Sequence, residues 1–264
     1  MTIPIIQVDA FTETAFGGNP AAVVLLDAER DDAFLQSVAI EMNLSETAFP
    51  MLGTDGRWSL RWFTPATEVD LCGHATLATA HVLFDRGVAD SDQITFDTRS
   101  GPLICHRTGD GILMDFPAAP AEPCDPIDGL AVALGVPVVD QGRSFDLVAQ
   151  LESARVVANL SPDMAALAAL DTRAVAVTAA GDVDGGPADF VSRVFAPRVG
   201  IPEDPVTGSA HCITGPWWAE RLGRNELRAH QVSARGGRLH VKIQDDRVEL
   251  TGRAITVLEG HLLL

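Results

Sequence analysis

The chain has 264 residues, of which 47% are hydrophobic and 21% are charged, a balance typical of a folded globular protein with one large or two smaller domains. Lys and Arg total 19 against 36 Asp and Glu, and the resulting net charge of −17 argues against binding to nucleic acid or an anionic membrane. No apolar stretch approaches the ~20 residues of a membrane span, and the N-terminus has no basic region before an apolar one, so a cytoplasmic protein is expected.

The first half of the chain predicts short strands around two helices. Strand patterns cover residues 3–11, 21–27, 45–52, 59–64, 93–98, 102–107 and 111–116. One helix follows Asp31, a residue type that caps helices, and ends at Asn43. A second helix runs from about Gly73 to Arg86 and ends at Gly87. Strands therefore outnumber helices in this half.

A proline- and acid-rich stretch at 116–123 predicts a linker before the second half. Helices are predicted beyond it between Asp125 and Gly135, after Ser161-Pro162 and over 208–222, and strands over 145–150, 153–158, 174–179, 189–196 and the alternating tail 232–264. Because strands neighbour one another rather than alternate strictly with helices, the predicted fold class is α+β with largely antiparallel sheets.

The two halves share a weak internal repeat. Residues 61–65 and 193–197 both read R-x-F-x-P, and each is followed by an acidic loop and then by a helix that begins at Gly73 or Gly208. The repeat predicts a duplicated fold with domains at 1–117 and 118–254. The last strand, at about 255–264, is expected to pack on the first domain.

The starts of the two matched helices are candidate anion sites. A helix N-terminus presents free N–H donors and a partial positive charge, so two such ends facing one cleft would bind a small carboxylate. Small residues at Gly73, Gly208 and Ser209 would let a ligand approach the backbone. The alternative is that these glycines only make tight strand-to-helix turns.

Three polar residues lie where they could carry chemistry. Glu46 shares a strand face with Leu44 and Ala48, and a carboxylate desolvated there would suit general acid/base catalysis, whereas on a solvated face it would be an ordinary surface acid. His74 lies in the first turn of its helix, where the imidazole should stay neutral. Asp204 precedes the second helix, and its simplest role is an N-terminal cap.

Cysteine and histidine spacing predicts neither disulfides nor a metal site. The four cysteines contain no C-x-x-C pair, and the seven histidines form no ligand cluster. Cys72 adjoins the first helix start, where a thiolate would be stabilised, although a small buried apolar residue is the simpler interpretation.

Taken in order, four segments resemble the PhzF-like family of phenazine-biosynthesis-type isomerases, within the diaminopimelate epimerase and proline racemase superfamily. The segments are 7–11 with 17–23, 44–49, 71–76 and 203–211, so the resemblance covers most of the chain. It implies two pseudo-symmetric domains, each a curved sheet or barrel wrapped around a central helix, with the active site in the cleft between them. A homodimer is also implied.

The resemblance also implies a cofactor-independent, metal-free isomerase that moves a proton on a small carboxylate-bearing, amino-acid-like substrate. Glu46 would be the general acid/base, with His74 and Asp204 as polar partners. Five residues would bind the substrate: Asn19, Gly73, Thr207, Gly208 and Ser209.

Two alternatives to that mechanism remain open from the sequence. Related racemases use a cysteine pair, and here Cys72 matches the first cysteine while Thr207 occupies the second position, so a racemase, epimerase or dehydratase that depends on Cys72 is one alternative. The other is a non-catalytic binder of small anions.

Overall fold

A computed structural model describes residues 2–89 and 91–263. The chain divides into two compact units, residues 1–115 with 251–264 and residues 116–250. The boundaries predicted from the linker and the repeat were 117/118 and about 254/255. No helix among the described residues is long and apolar enough to cross a bilayer.

The first unit is a mixed sheet that packs on one buried helix. Its strands are β1 (Thr2–Ala10), β2 (Asn19–Val24), β3 (Glu46–Leu52), β4 (Trp58–Phe63), β5 (Glu68–Val69), β6 (Gln93–Thr98), β7 (Gly101–Thr108) and β8 (Gly111–Pro117), and its helices are α1 (Asp32–Met42) and α2 (Gly73–Asp85). The pairs β2–β3 and β4–β6 are parallel, whereas β1–β2, β3–β4, β6–β7 and β7–β8 are antiparallel.

Helix α2 is buried on almost all sides. It packs against β1, β2, β3 and β7, and its second to eighth residues are all buried. An α-helix that is apolar all round belongs in a core rather than on a surface. This agrees with the predicted central helix.

The second unit repeats the plan of the first. Its strands are β9 (Glu122–Pro123), β10 (Asp140–Arg143), β11 (Leu147–Gln150), β12 (Val175–Ala180), β13 (Phe190–Ala196), β14 (Ile201–Asp204), β15 (Glu226–Gln231), β16 (Gly237–Gln244) and β17 (Arg247–Gly252), and its helices are α3 (Leu130–Leu134), α4 (Ala154–Ala158), α5 (Met164–Ala169) and α6 (Gly208–Leu222). Short 3₁₀ turns lie at Val183–Gly185 and Pro197–Val199.

Strand pairing in the second unit follows the same order as in the first. The pairs β11–β12 and β13–β15 are parallel, and β10–β11, β12–β13 and β15–β16 are antiparallel. Helix α6 packs against β12, β15 and β16 and is buried along most of its length. The duplicated, sheet-rich α+β fold is therefore observed, with two parallel strand pairs in each unit.

The chain ends with β18 (Ala254–Leu263), which returns to the first unit. It pairs antiparallel with β1, from Ala254 opposite Ala10 to Leu263 opposite Thr2. Strand β1 is thereby paired on both edges, with β2 and with β18.

One predicted element in the second half is wrong, and another begins later than predicted. Residues 153–158 form a helix instead of a strand, because the Ser153 hydroxyl accepts the Val156 N–H as an N-cap. The helix predicted after Asp125-Pro126 begins only at Leu130, because Gly129 adopts a left-handed φ of +82°. Both segments are too short for apolar spacing to decide between strand and helix.

Candidate active site

A tight turn before β2 places the side chain of Asn19 in the interior of the first unit. Gly18 has a φ of +62°, and a Cβ on it would lie 2.1 Å from the carbonyl oxygen of Ala10. Only glycine fits this turn without moving the backbone. The side chain of Asn19, the first residue of β2, is fully buried.

Glu46 opens β3 next to that turn. The parallel β2–β3 register places Glu46 opposite Ala21, two residues after Asn19. The Glu46 side chain is 13% exposed, so the strand face that it occupies is largely covered. The interpretation as a surface acid, left open by the sequence, does not hold in this fold.

His74 contacts both Glu46 and Asn19. As the second residue of α2 it is buried, with Nε2 at 3.0 Å from Glu46 Oε2 and Nδ1 at 3.2 Å from Asn19 Nδ2. Cys72, the N-cap residue of α2, places its Sγ 3.5 Å from the same Nδ1. One imidazole ring therefore joins the other three polar side chains.

The contact between Glu46 and His74 lacks the alignment of a hydrogen bond. Although Oε2 and Nε2 lie 3.0 Å apart, both atoms are buried and neither makes a well-formed hydrogen bond within the described part of the chain. Buried polar atoms are nearly always hydrogen-bonded, and an exception calls for an explanation. A polar group of a ligand would satisfy both atoms.

Charges around the ring determine its protonation. Burial lowers the pKa of His74, but contacts with the Cys72 sulfur and with the charged Glu46 carboxylate outweigh burial, and the pKa is raised well above 6.5. The sequence had predicted a neutral imidazole at this helix start. Burial, reinforced by the Glu46 charge, raises the pKa of Cys72 to about 11, so this residue is a thiol at neutral pH.

Glu46, Cys72 and His74 also offer donor atoms that lie within 4.8 Å of one another, close enough for a metal ion to be considered. Glu46, however, faces Nε2 of the ring while Cys72 faces Nδ1. An ion bound through one ring nitrogen would need at least one of these side chains to move.

In the second unit, the start of α6 is built from Asp204, Thr207 and Gln231. The Thr207 hydroxyl donates to Asp204 Oδ2 at 2.5 Å, and Thr207 rather than Asp204 is the N-cap residue of α6. Fully buried Gln231 accepts the Thr207 N–H at 2.9 Å and donates to the Asp204 carbonyl oxygen at 2.7 Å. Gln231 thereby fixes the turn between the acidic loop and the helix.

An Arg–Glu pair holds the acidic loop of each unit. Arg61 forms a two-bond fork with Glu68, at 2.7 Å for both bonds, and Arg193 forms one with Glu203 at 2.7 and 2.9 Å. Each guanidinium also lies over the Phe two residues later, at 5.1 Å from Phe63 and 4.9 Å from Phe195. The repeated R-x-F motif thus has the same structural role twice.

The predicted site residues fall into two groups. The structure brings Asn19, Glu46 and His74 together in the first unit, where Gly73 begins α2. In the second unit Asp204 contacts Thr207, and Gly208 and Ser209 form the first residues of α6. Sequence reasoning missed Gln231, since nothing in its segment marks it as polar and buried. It also missed the contact of Asn19 with His74, for which the Gly-Gly-Asn-Pro turn was the available signal.

Comparisons with family models, with curated proteins and with solved structures point to the same family. The family model described as "Phenazine biosynthesis-like protein" (PhzC-PhzF) matches residues 8–260. An uncharacterised isomerase of Halalkalibacterium halodurans is 50% identical, with both chains covered completely. A crystal structure of a PhzF-family protein from Enterococcus faecalis superposes with a TM-score of 0.96 at 43% identity over the whole of both chains. A hydroxyproline epimerase from Agrobacterium vitis, at 9% identity and a TM-score of 0.62, covers 99% of this chain and 92% of its own and shares the fold.

Proposed function

This chain belongs to the phenazine biosynthesis-like (PhzC-PhzF) family, and on that premise we propose that it is an isomerase that moves a proton on a small carboxylate-bearing, amino-acid-like substrate, with Glu46 as the general acid/base. The reaction class follows relatives that are named isomerases at half identity over their full length. The resemblance of the four sequence segments supplies the substrate class and the role of Glu46.

The observation that carries the proposal is the buried pair of Glu46 and His74. Its two facing atoms are 3.0 Å apart and lack well-formed hydrogen bonds within the described residues, so both retain the capacity to bond a substrate group. Glu46 is largely shielded from water beside His74, and a positioned carboxylate of this kind can act as a general acid/base.

The proton transfer involves no net gain or loss of atoms. Glu46 takes a proton from an acidic carbon, the C–H electron pair enters the conjugated system, and the resulting carboxylic acid returns the proton to another carbon. General acid/base catalysis of this kind typically contributes ~10²–10⁴-fold in rate. The N–H groups at the start of α2 and the adjacent His74 would stabilise the transient negative charge.

The second unit is proposed to bind the substrate carboxylate. The start of α6 presents backbone N–H groups from Gly208 and Ser209, with Thr207 and Asp204 beside them. Gln231 and the Arg193–Glu203 fork hold this segment in place. We assign Asp204 the role of a polar partner to the substrate.

Cys72 is a weaker candidate for the proton carrier. A thiol whose pKa is raised to about 11 is a thiolate in about one molecule in 10⁴ at pH 7. A racemase mechanism through Cys72 would need a substrate that lowers that pKa. Replacing Cys72 with Ala should therefore reduce exchange far less than replacing Glu46.

We propose further that the reaction needs no metal or organic cofactor, because an ionisable side chain carries the proton. The protein is also proposed to act as a cytoplasmic homodimer, as the family resemblance implies. Light scattering coupled to gel filtration would test the dimer.

The test is solvent deuterium incorporation into a panel of amino acids and unsaturated carboxylates, read by mass spectrometry. The wild-type protein should label at least one compound, and Glu46→Gln should reduce labelling at least ~10²-fold, because the amide cannot carry the proton. Ligand binding should persist in that variant.

Glu41→Gln is the matched control, because Glu41 lies on α1 and is exposed. Labelling by this control should equal that of the wild type. Undiminished labelling by Glu46→Gln would remove Glu46 from the mechanism. Binding of a carboxylate without any labelling by the wild-type protein would favour the non-catalytic anion binder.

A further inference from the structure

Asn19 contacts the imidazole of the proposed catalytic pair. Its amide is fully buried, and Nδ2 lies 3.2 Å from Nδ1 of His74, on the ring edge away from Glu46. The tight turn at Gly18, where a Cβ would collide with the Ala10 carbonyl oxygen, directly precedes Asn19 in the chain.

The His74 ring that Asn19 contacts can be neutral or protonated. The titratable groups that act on His74 are Glu46 from β3 and Cys72 at the start of α2. Of the other strands that pack on α2, β1 brings Asp9, which accepts the Phe16 N–H at 2.7 Å, and β7 brings Cys105, whose pKa burial raises to about 12. Protonation of Glu46 would remove the negative charge that favours the imidazolium, so the two proton states are coupled.

An amide can pair with both protonation states of Nδ1, whereas a carboxylate or an aliphatic side chain of the same size cannot. Asn offers an N–H donor and a C=O acceptor that exchange places when the amide turns by half a rotation. The N–H can donate to an unprotonated Nδ1, and the C=O can accept from a protonated one. An Asp would satisfy mainly the protonated ring, and a Leu would satisfy neither state.

We infer that Asn19 is a positioning residue whose amide holds His74 against Glu46 in both protonation states of the imidazole. This inference rests on the proposed function, which makes Glu46 gain and lose a proton in each cycle. It revises the role that the sequence resemblance implies for Asn19, which was substrate binding.

The first test uses the wild-type protein and nuclear magnetic resonance. Nitrogen-15 shifts of the His74 ring report its protonation between about pH 5 and 10, and the side-chain amide signals of Asn19 should change with the same midpoint. Amide signals that stay constant while His74 titrates would overturn the inference. A His74 that holds a single protonation state across this range would overturn it as well.

The second test uses Asn19→Asp and Asn19→Leu. A carboxylate beside Nδ1 favours the imidazolium, so Asn19→Asp should raise the His74 midpoint by about one pH unit or more and move the matching limb of the pH–rate profile by the same amount. Asn19→Leu should lower kcat about tenfold with little change in KM, because the ring loses its orientation while the carboxylate site is intact. A larger effect on KM than on kcat would return Asn19 to substrate binding.

Asn159→Asp is the control for added charge, because Asn159 is exposed in the second unit and bonds only locally to the Arg155 carbonyl oxygen in the contacts described. It should leave the His74 midpoint unchanged. The resonance measurements need no turnover, so they separate the two proposals. A shifted midpoint in Asn19→Asp together with unaffected labelling in Glu46→Gln would support the contact between Asn19 and His74 and refute the proposed function.

Discussion

At the scale of single residues, two buried histidines near helix starts have opposite acid–base behaviour. The pKa of His74 is raised by Cys72 and Glu46 against the effect of burial. Burial lowers the pKa of His211, in the first turn of α6, to about 4. Its Nδ1–H donates to the Thr207 carbonyl oxygen at 2.8 Å, so His211 is a neutral structural donor. The contacts of His74 with Cys72 and with the Glu46 carboxylate make the difference between the two rings.

Replacing His211 should change how stability depends on pH. Since the pKa of His211 is about 4 folded and about 6.5 unfolded, the unfolded chain binds more protons between these values, and the wild-type protein loses up to about 3 kcal/mol there as pH falls. His211→Asn keeps a donor for the Thr207 carbonyl without a titratable ring. Its free energy of unfolding, measured in urea at several pH values, should lack this loss.

His240→Asn provides the comparison, because His240 is exposed on β16. Its stability should follow the wild-type curve. Parallel curves for wild type and His211→Asn between pH 4 and 6.5 would show that His211 does not contribute to acid sensitivity.

The residues of the candidate site were only partly predictable. Glu46, His74 and Asp204 stand in recognisable segments, so residue type and motif order were enough to single them out. The partners of these residues depend on which strands pair, and the parallel β2–β3 pairing that places Asn19 near Glu46 leaves no local pattern. Gln231 lies 24 residues from Thr207 and meets it only through the fold.

At the scale of elements, the Arg–Glu forks connect a strand to the loop that precedes the central helix. Arg193 extends from β13 to Glu203 and also donates to the Leu160 carbonyl oxygen at 2.6 Å, just after α4. Its side chain is only 12% exposed. A fork of this kind needs the planar guanidinium, because an ammonium cannot match both carboxylate oxygens.

Arg193→Lys should therefore destabilise the second unit although it keeps the charge. We expect a loss of about 2 kcal/mol in the free energy of unfolding, because the buried Leu160 carbonyl and one carboxylate oxygen lose their donors. Substrate KM should rise, because Asp204 follows Glu203 directly. Urea unfolding and steady-state kinetics would measure the two effects.

Arg61→Lys is the equivalent change in the first unit, where Arg61 is 30% exposed. Its loss of stability should be smaller, since a more exposed pair is screened by water. Equal losses in the two variants would indicate that the Leu160 contact adds nothing.

Elements with clear end signals were predicted well, and those without were not. Asp31 caps α1 by accepting the Phe34 N–H at 2.8 Å, and Asn43 ends it with a φ of +50°. Gly223 ends α6 with a φ of +67°. The short helix α4 was predicted as a strand because five residues are fewer than two helical turns.

At the scale of the whole molecule, the first unit depends on both ends of the chain. Strand β18 pairs with β1 along its length and also packs on α2. A chain that ends at Arg253 should lose protection from amide hydrogen exchange in β1 and α2. Strands β12 and β13 should keep their protection, because the second unit is continuous from 116 to 250. Exchange measured by mass spectrometry would show the contrast.

A circular permutant is the matched control for that truncation. Leu263 lies opposite Thr2 across the antiparallel pair, so an Asn-Gly turn can join the end of β18 to the start of β1. Moving β18 to the front in this way should restore protection in both β1 and α2. Equal loss of protection in the two units of the truncated chain would contradict this dependence.

The two units share their strand order and their Arg–Glu forks, but they carry different side chains at matching positions of the helix starts. The scaffold therefore does not depend on which of these side chains it carries. Cys72 corresponds to Thr207, His74 to Ser209 and Thr76 to His211, while the Thr76 hydroxyl and the His211 ring each donate to the carbonyl four residues earlier. A protein engineer could therefore transplant the pentapeptide 72–76 into 207–211, and the reverse, without redesigning either framework. Such grafted chains would carry the His74 imidazole at both matched helix starts, or at neither, and would test how far its behaviour depends on Glu46.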